Sequence, residues 1–486
     1  MTYFAAVAAV RIQSWLARTP DLRYVRGASA ALTTVTKAQA LSDHHVLPAQ
    51  VEVDPDTNEV AGVCVLRSQD ADGLDTAVEL VLDRYQAHLP GAEWTAWRTE
   101  APSYVQAYKT AHGDRVGGDV RRWHRLPVTL DLPFAAACAR CAHEMATAEV
   151  RTPDGKATEG VGPDCAVRHQ AGANLEFKDF EAVARVGASG VTVGRRDAAN
   201  HLATVCADGN RVGAFFTAVA SLGDAERQTL LSNALDSALR TAAAEAQACG
   251  PNGTRVAMNH FVGGDDLFAS VAAPFAWPYV ETLSRVFQAQ FADAVKKAFE
   301  GAPDDDETRA VRLAAEQVSL GIGVAFAHAK HPIAECRESA LAAEQHGKVA
   351  RRGAEGAVSW VDLTVEPAVG QGAGRLPRGR WVSTARLTQE LSTPSPAILT
   401  MDASARATLV SLLREQPGDT PARITKAVRE WATRVQRLDD VDSFLPDESS
   451  SDAAGQLDVL RHTVDRARWW PRRPEAPATP EPEEES

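Results

Sequence analysis

The sequence lacks the features that would point to a membrane protein, a secreted disulfide protein or a protein that coats nucleic acid duplexes. No window of its 486 residues approaches the ~20 consecutive apolar residues that a membrane-spanning helix needs. Basic side chains are in deficit, with 51 Lys and Arg against 64 Asp and Glu, and the net charge of −13 argues against a duplex-coating surface. The seven cysteines are odd in number and dispersed, unlike a secreted disulfide framework. We therefore expect a cytoplasmic protein.

The remaining composition is that of an ordinary globular protein. Hydrophobic residues make up 45% of the chain and charged residues 24%, a balance that excludes a disordered or fibrous chain. A length of 486 residues exceeds one ordinary core and predicts two to four domains.

The first 128 residues are predicted to form a small α+β unit. Residues 2–10 are an apolar run typical of a strand, and a helical pattern starts directly after it. Residues 54–58 form a turn between two apolar stretches, which indicates a hairpin. Residues 74–88 follow with helical spacing of their apolar side chains.

A second α+β unit is predicted over residues 191–370. Its strands and helices follow the order β-α-β-β-α-β, which matches the split ferredoxin-like arrangement. We expect a palm-type antiparallel sheet with its helices on one face. Residues 129–190 form an insertion between the two units, residues 371–470 are predicted to be helical, and residues 471–486 are a Pro- and Glu-rich tail that we expect to be disordered.

Two glycines and two aspartates form a tight turn between apolar stretches of the second unit. These residues are Gly263, Gly264, Asp265 and Asp266. A further acid, Asp208, ends the first strand of the unit, which in a palm sheet lies beside this hairpin. Three carboxylates can bind Mg²⁺ and position a triphosphate for attack by a 3′-hydroxyl. The alternative is an ordinary solvated Gly-Asp hairpin.

Glycines after Asp208 would complete such a site. Gly209 and Gly213 would keep the loop open and present backbone N–H groups to phosphates.

The insertion carries a pattern typical of structural zinc sites. Cys138 and Cys141 form one pair, and Cys165 and His169 form a second pair at a spacing that suits tetrahedral zinc. His143 competes with His169 as the fourth ligand. The alternative is a set of unrelated, reduced side chains.

Taken together, these motifs resemble the palm-polymerase subunit of type III CRISPR effector complexes, which makes cyclic oligoadenylates from ATP. The resemblance rests on residues 207–213, the Gly263–Asp266 turn and residues 321–330, and on residues 11–16 and 26–29 in front of them. It implies two ferredoxin-like palm units, the first degenerate, with the zinc-binding insertion between them and a helical C-terminal domain. A stand-alone relative of that subunit is the other possibility.

The resemblance also assigns site residues and partners. Asp208, Asp265 and Asp266 would bind Mg²⁺ or Mn²⁺, and Gly263 and Gly264 would border the nucleotide. Lys348 would meet phosphates, although a solvated lysine at a helix end is the alternative. Ser29 would touch a second nucleotide or simply cap a helix. The implied partners are ATP, guide or target RNA and other CRISPR effector subunits.

Three functions remain open at this point. The first is a nucleotidyltransferase that makes cyclic oligoadenylate-type messengers. The second is a cyclic-dinucleotide synthase of the diguanylate-cyclase type, whose signature continues with Glu-Phe where this chain has Leu267 and Phe268. The third is a catalytically silent scaffold that binds RNA or protein.

Overall fold

The structure is a computed structural model. It describes residues 2–43, 46–55, 62–112, 120–127, 134–152, 155–173, 177–186, 192–193, 198–303, 305–350, 356–365, 380–392, 396–413, 420–446 and 452–472. Over this part of the chain, no helix is both long enough and apolar enough to cross a membrane.

The first unit is a five-stranded sheet in the order β2-β3-β1-β4-β5. Its strands are β1 (Thr2–Val10), β2 (Glu52–Val53), β3 (Val63–Ser68), β4 (Glu93–Ala101) and β5 (Arg121–Arg125). Its helices are α1 (Ile12–Leu16), α2 (Leu22–Val35), α3 (Ala38–Asp43), α4 (Ala71–His88) and α5 (Tyr104–His112). The predicted hairpin is confirmed in its strands, since β2 and β3 pair antiparallel, while residues 56–58 of its turn lie outside the described residues.

The insertion is small. It contains the antiparallel pair β6 (Ala148–Arg151) and β7 (Thr158–Val161), followed by α6 (Pro163–Ala171) and α7 (Phe180–Val186). A short strand β8 (Thr192–Val193) leads into the second unit.

The second unit contains a six-stranded sheet in the order β10-β11-β9-β12-β13-β14. Its strands are β9 (His201–Asn210), β10 (Ala257–Gly263), β11 (Asp266–Ala272), β12 (Ser319–His328), β13 (Ala357–Asp362) and β14 (Trp381–Ser383). Its helices are α8 (Val212–Ser221), α9 (Ala225–Gln247), α10 (Ala276–Ala298), α11 (Asp306–Glu316) and α12 (Ile333–Ala350). Helix α9 begins after Asp224, whose side chain accepts the N–H of Arg227 and so caps the helix.

Helices and a short final strand complete the described chain. They are α13 (Thr384–Ser392), α14 (Ala397–Thr400), α15 (Ala403–Leu413), α16 (Pro421–Arg434), α17 (Leu438–Val441), α18 (Ala453–Arg466) and β15 (Pro471–Arg472). The expectation of disorder from residue 471 onward is wrong for Pro471 and Arg472, which pair antiparallel with β8. Residues 473–486 lie outside the described part.

Strand β9 is apolar along most of its length because both faces of the second sheet are covered. Ala203, Val205 and Ala207 face a core that contains residues of α9 and α10. Leu202 and Cys206 belong to a different core, which contains residues of α12 and of the first unit. The mixed α+β class and the two ferredoxin-like units are thus confirmed.

The expectation that the second sheet is antiparallel with helices on one face needs a correction. β13 pairs parallel with β12, and a parallel neighbour requires a crossover helix. That helix is α12, which lies on the face opposite α9 and α10.

The two units share a continuous apolar core and are joined by polar contacts. On α2, Arg26 donates to the carbonyl of Asn259 on β10 at 2.5 Å. On α12, Arg337 donates to Ser14 Oγ at 3.4 Å and to Gln13 Oε1 at 3.2 Å, both on α1. Helix α2 therefore lies against the sheet that carries the predicted carboxylates, and α1 lies against α12.

Candidate active site and metal centre

The three predicted carboxylates meet at one end of the second sheet. Ala207 on β9 stands opposite Leu267 on β11, and the next residue outward on each strand is Asp208 and Asp266. Asp265 directly precedes Asp266 in the turn, where Gly263 pairs with Asp266 across the hairpin. The structure therefore brings Asp208, Asp265 and Asp266 together.

Gly209 and Gly264 allow the turn that carries Asp265 to lie close to the end of β9. A Cβ atom on Gly209 would lie 2.7 Å from Asp265 Oδ2 and 2.8 Å from its Cβ, so no larger residue fits there without moving the turn. Gly264 has a φ of 63°, the left-handed conformation that the first residue of a two-residue hairpin loop requires.

The other two predicted glycines have different surroundings. A Cβ on Gly263 would meet the ring of Phe261 at 3.2 Å, and Gly213 has no neighbour within 4 Å of a Cβ. Gly213 lies in the first turn of α8, with open space in front of it.

The cluster has the electrostatics of a cation site. Burial, followed by the charges of Asp208 and Asp265, raises the pKa of Asp266 to about 7. Burial and Asp208 also raise the pKa of Asp265. Neighbouring carboxylates in this setting are stabilised in their ionised form by a nearby cation, and hard divalent ions such as Mg²⁺ take oxygen ligands. The donor set therefore fits Mg²⁺ or Mn²⁺.

Lys348 reaches this cluster from α12. Its Nζ contacts Asp208 Oδ2 and lies 2.7 Å from Glu344 Oε1 one helical turn earlier. A Cβ on Gly321, which pairs with Asp208 across β12 and β9, would lie 2.5 Å from Lys348 Cε. The lysine side chain thus runs over Gly321, and its charge faces the carboxylates instead of open solvent.

The sequence reasoning missed Glu344. This carboxylate is only 4% exposed, and burial raises its pKa, while Lys348 lowers it. Its spacing of four residues before Lys348 is the signal that could have identified it, since such pairs meet on one helical face.

Ser29 is not brought to the cluster by any hydrogen bond in the described residues. It lies inside α2, where its carbonyl accepts a hydrogen bond from Thr33 Oγ1 at 3.0 Å. The interpretation of Ser29 as a helix cap is wrong, because Asp21 occupies that position. The suggested contact of Ser29 with a second nucleotide stays a prediction.

The insertion gathers three of its four predicted zinc ligands. Cys138, Cys141, Cys165 and Glu144 each direct one ligand atom into a group whose atoms all lie within 4.8 Å of one another. A turn forms this group, since Cys138 N–H donates to the Glu144 carbonyl at 2.8 Å. Hydrogen bonding with Cys165 lowers the pKa of the Cys141 thiol. Three thiols and a carboxylate are a chemically suitable zinc set.

The prediction of His169 as a ligand needs a correction, and His143 does not replace it. Neither histidine belongs to the group, in which Glu144 supplies the fourth ligand atom. The His169 ring packs against Tyr24 with centroids 5.7 Å apart, and its carbonyl accepts from Arg23 at 3.0 Å. The second turn of α6 is thus engaged with α2 of the first unit.

Glu144 also holds the start of α6. Its carboxylate accepts the N–H of Cys165 at 3.1 Å and that of Asp164 at 3.3 Å. Gly162 leaves room for it, since a Cβ there would lie 2.1 Å from Glu144 Cγ.

Comparisons with known proteins agree with this fold. Residues 201–354 match the family model of the second palm domain of Cas10/Cmr2. No curated protein matches the chain.

Several solved structures share the fold of almost the whole chain. A Csm1–Csm4 cassette in complex with pppApA has a TM-score of 0.54 at 14% identity, over 96% of this chain and 69% of that chain. The Csm1–Csm4 subcomplex of the type III-A CRISPR–Csm interference complex has a TM-score of 0.51 at 15% identity, over 95% and 70%. Csm1 of T. onnurineus has a TM-score of 0.50 at 14% identity, over 95% and 69%. The resemblance to the palm subunit of type III CRISPR complexes is confirmed at the level of the fold.

Proposed function

We propose that this chain is a metal-dependent nucleotidyltransferase that makes cyclic oligoadenylate-type messengers from ATP, as a palm subunit of type III CRISPR defence. The observation that carries the proposal is the meeting of Asp208, Asp265 and Asp266 beside Lys348 at one end of β9 and β11. A packed fold has no structural need for such a cluster, because burial and mutual repulsion make it unfavourable without a cation.

The residues have separate roles in this proposal. Asp208, Asp265 and Asp266 hold Mg²⁺ or Mn²⁺, which when bound neutralises phosphate charge and activates the attacking hydroxyl. Lys348 offers its ammonium group to the triphosphate oxygens. Gly209, Gly213, Gly263 and Gly264 let the backbone approach the nucleotide, and Gly213 has the open space that this needs.

The first unit fits the role of an acceptor platform. β1 and β9 are each followed by an arginine with a left-handed backbone, Arg11 with a φ of 53° and Arg211 with a φ of 59°. Ala8 lies three residues before Arg11, and Asp208 lies three residues before Arg211. The first sheet thus has an alanine where the second has a metal-binding carboxylate, and we infer that it holds the nucleotide that supplies the 3′-hydroxyl.

The proposed partners follow from the similar structures. These contain Csm1 and Csm4 with ATP, with pppApA or with cA4. We infer that this chain binds ATP and assembles with guide or target RNA and other effector subunits. The zinc group has only protein ligands, so its role is to hold the insertion together.

Two alternatives predict different results. A cyclic-dinucleotide synthase of the diguanylate-cyclase type would prefer GTP, and a silent scaffold would release no pyrophosphate from any nucleotide.

The experiment offers each of the four nucleoside triphosphates separately, with Mg²⁺ or Mn²⁺, with and without guide and target RNA. Pyrophosphate and a phosphodiester-linked product from ATP are expected. Turnover of GTP alone would favour the cyclic-dinucleotide synthase, and no pyrophosphate under any condition would favour the scaffold.

A further inference from the structure

The loop that carries Asp265 has a backbone N–H that its own hairpin cannot satisfy. Because Gly263 pairs with Asp266, Gly264 and Asp265 form a two-residue loop. A loop N–H outside the ladder needs another acceptor. The N–H of Gly264 donates to Asp236 Oδ1 on α9 at 2.9 Å.

Asp236 is held in place for this bond. Its side chain is buried, with the residue only 7% exposed, and Oδ2 accepts from Arg240 Nε at 2.6 Å. A buried carboxylate needs such partners, because an unpaired charge is costly away from water. Oδ1 and Oδ2 thus serve different donors, the loop and Arg240.

Two further hydrogen bonds fix the position of α9 along β10. Asn259 Nδ2 donates to the Ala243 carbonyl at 3.0 Å, and Gln247 Nε2 donates to the Ala257 carbonyl at 2.8 Å. Asp236 provides the contact at the end of β10 where the carboxylates lie. The helix therefore sets the position of the loop relative to the strand.

We infer that Asp236 is a positioning residue for the metal-binding turn, an inference that rests on the proposed function. It acts through the Gly264 N–H, which orients the loop so that Asp265 lies against Gly209 and beside Asp208. The orientation of the turn depends on the acceptor oxygen of Asp236 and not on its negative charge. Small displacements of such groups cost large factors in rate.

The test compares D236A, D236N/R240A and R240A with the unchanged full-length protein. D236A removes the acceptor, and R240A removes the ion pair while leaving the acceptor. D236N/R240A keeps an acceptor oxygen for Gly264 without the charge and without the Arg240 donor that would face the amide NH₂ group. Each variant is measured for Mn²⁺ affinity by electron paramagnetic resonance and for kcat and KM with ATP. Circular dichroism and zinc content report on folding.

D236A should weaken Mn²⁺ binding about tenfold and lower kcat by about 10- to 100-fold, because the loop loses its fixed orientation. D236N/R240A and R240A should both stay within about threefold of the unchanged protein, since the oxygen facing Gly264 is kept.

Wild-type Mn²⁺ affinity in folded D236A would overturn the inference. A tenfold loss of affinity in D236N/R240A would also overturn it, and this outcome decides the matter even if D236A fails to fold. Absence of turnover in the unchanged protein would refute the proposed function, while the Mn²⁺ affinities would still decide the role of Asp236.

Discussion

At the residue scale, the carboxyl of Asp266 illustrates how the fold prepares the site. Burial, Asp208 and Asp265 together raise its pKa to about 7, while Lys348 opposes them. One ammonium group faces four carboxylates, Asp208, Asp265, Asp266 and Glu344. The remaining negative charge is what a divalent cation would balance.

The zinc group yields a prediction about single ligands. The unchanged protein should hold about one zinc ion per chain. Cys165→Ser and E144A should each hold less, because each removes one of the four gathered ligand atoms. His169→Ala should keep its zinc, since His169 lies outside the group. Metal analysis of the purified proteins checks this. Zinc loss in His169→Ala with full retention in E144A would contradict the assignment.

His462 yields a prediction about acid stability. Burial lowers its pKa to about 4, aided by the positive charges of Arg466, Arg380 and Arg461 and opposed by Asp458. The unfolded state, with a histidine pKa near 6.5, takes up the proton first as pH falls. This group therefore stabilises the fold fully above about pH 6.5, and that stabilisation is lost between about pH 6.5 and 4.

Between pH 8 and pH 5, the free energy of unfolding should fall by about 2 kcal/mol more in the unchanged protein than in H462Q. Denaturant unfolding of both proteins at the two pH values provides the comparison. Identical pH dependence in both would show that His462 does not titrate in this way.

At the element scale, the contact between α12 and β12 depends on glycine. A Cβ on Gly323 would lie 1.8 Å from the Ala340 carbonyl oxygen and 2.6 Å from Glu344 N, both in the backbone of α12. G323A should therefore push the helix away, destabilise the fold by about 1–3 kcal/mol and lower turnover, because Lys348 moves with the helix.

The matched control is G213A, because a Cβ at this position of α8 has open space around it. Its free energy of unfolding should be unchanged or higher by up to about 1 kcal/mol. Thermal unfolding measures both variants, and pyrophosphate release is measured for G323A alone, because Gly213 is itself proposed to lie at the nucleotide. A melting temperature in G323A equal to that of the unchanged protein would disprove the close packing.

Helix α12 shows which features of the second unit can be predicted from the sequence and which cannot. The periodicity of the apolar residues predicts the strands and helices of the second unit, and the Gly263–Asp266 turn predicts the carboxylate cluster. The face that α12 covers could not be predicted, because it depends on the parallel pairing of β13 with β12. Asp236 and Glu344 were missed for a related reason: their roles come from contacts between elements that the sequence keeps 28 and 136 residues apart from Gly264 and Asp208.

The zinc group shows the limit of spacing arguments. Cys165 and His169 are four residues apart on α6, a spacing that suits two ligands. The next turn of α6 instead packs on α2, where a Cβ on Gly27 would lie 1.8 Å from the Arg168 carbonyl oxygen. With α6 packed on the first unit, His169 lies against Tyr24 and not in the zinc group.

At the scale of the whole molecule, the two sheets share the strand order β2-β3-β1-β4-β5 and β10-β11-β9-β12-β13. They differ in the direction of the last strand, since β5 pairs antiparallel with β4 whereas β13 pairs parallel with β12. The division of roles that we propose follows from one difference between the halves, Ala8 against Asp208.

The central claim is that the carboxylate turn transfers nucleotides, and the most direct measurement compares D265N/D266N with the unchanged protein. Both receive ATP and Mn²⁺ with guide and target RNA, and pyrophosphate and phosphodiester-linked product are quantified. D439N/D440N, which removes two adjacent carboxylates from α17, is the matched control. The account predicts product from the unchanged protein and the control, and none above background from D265N/D266N. Equal product from D265N/D266N and the unchanged protein would contradict it.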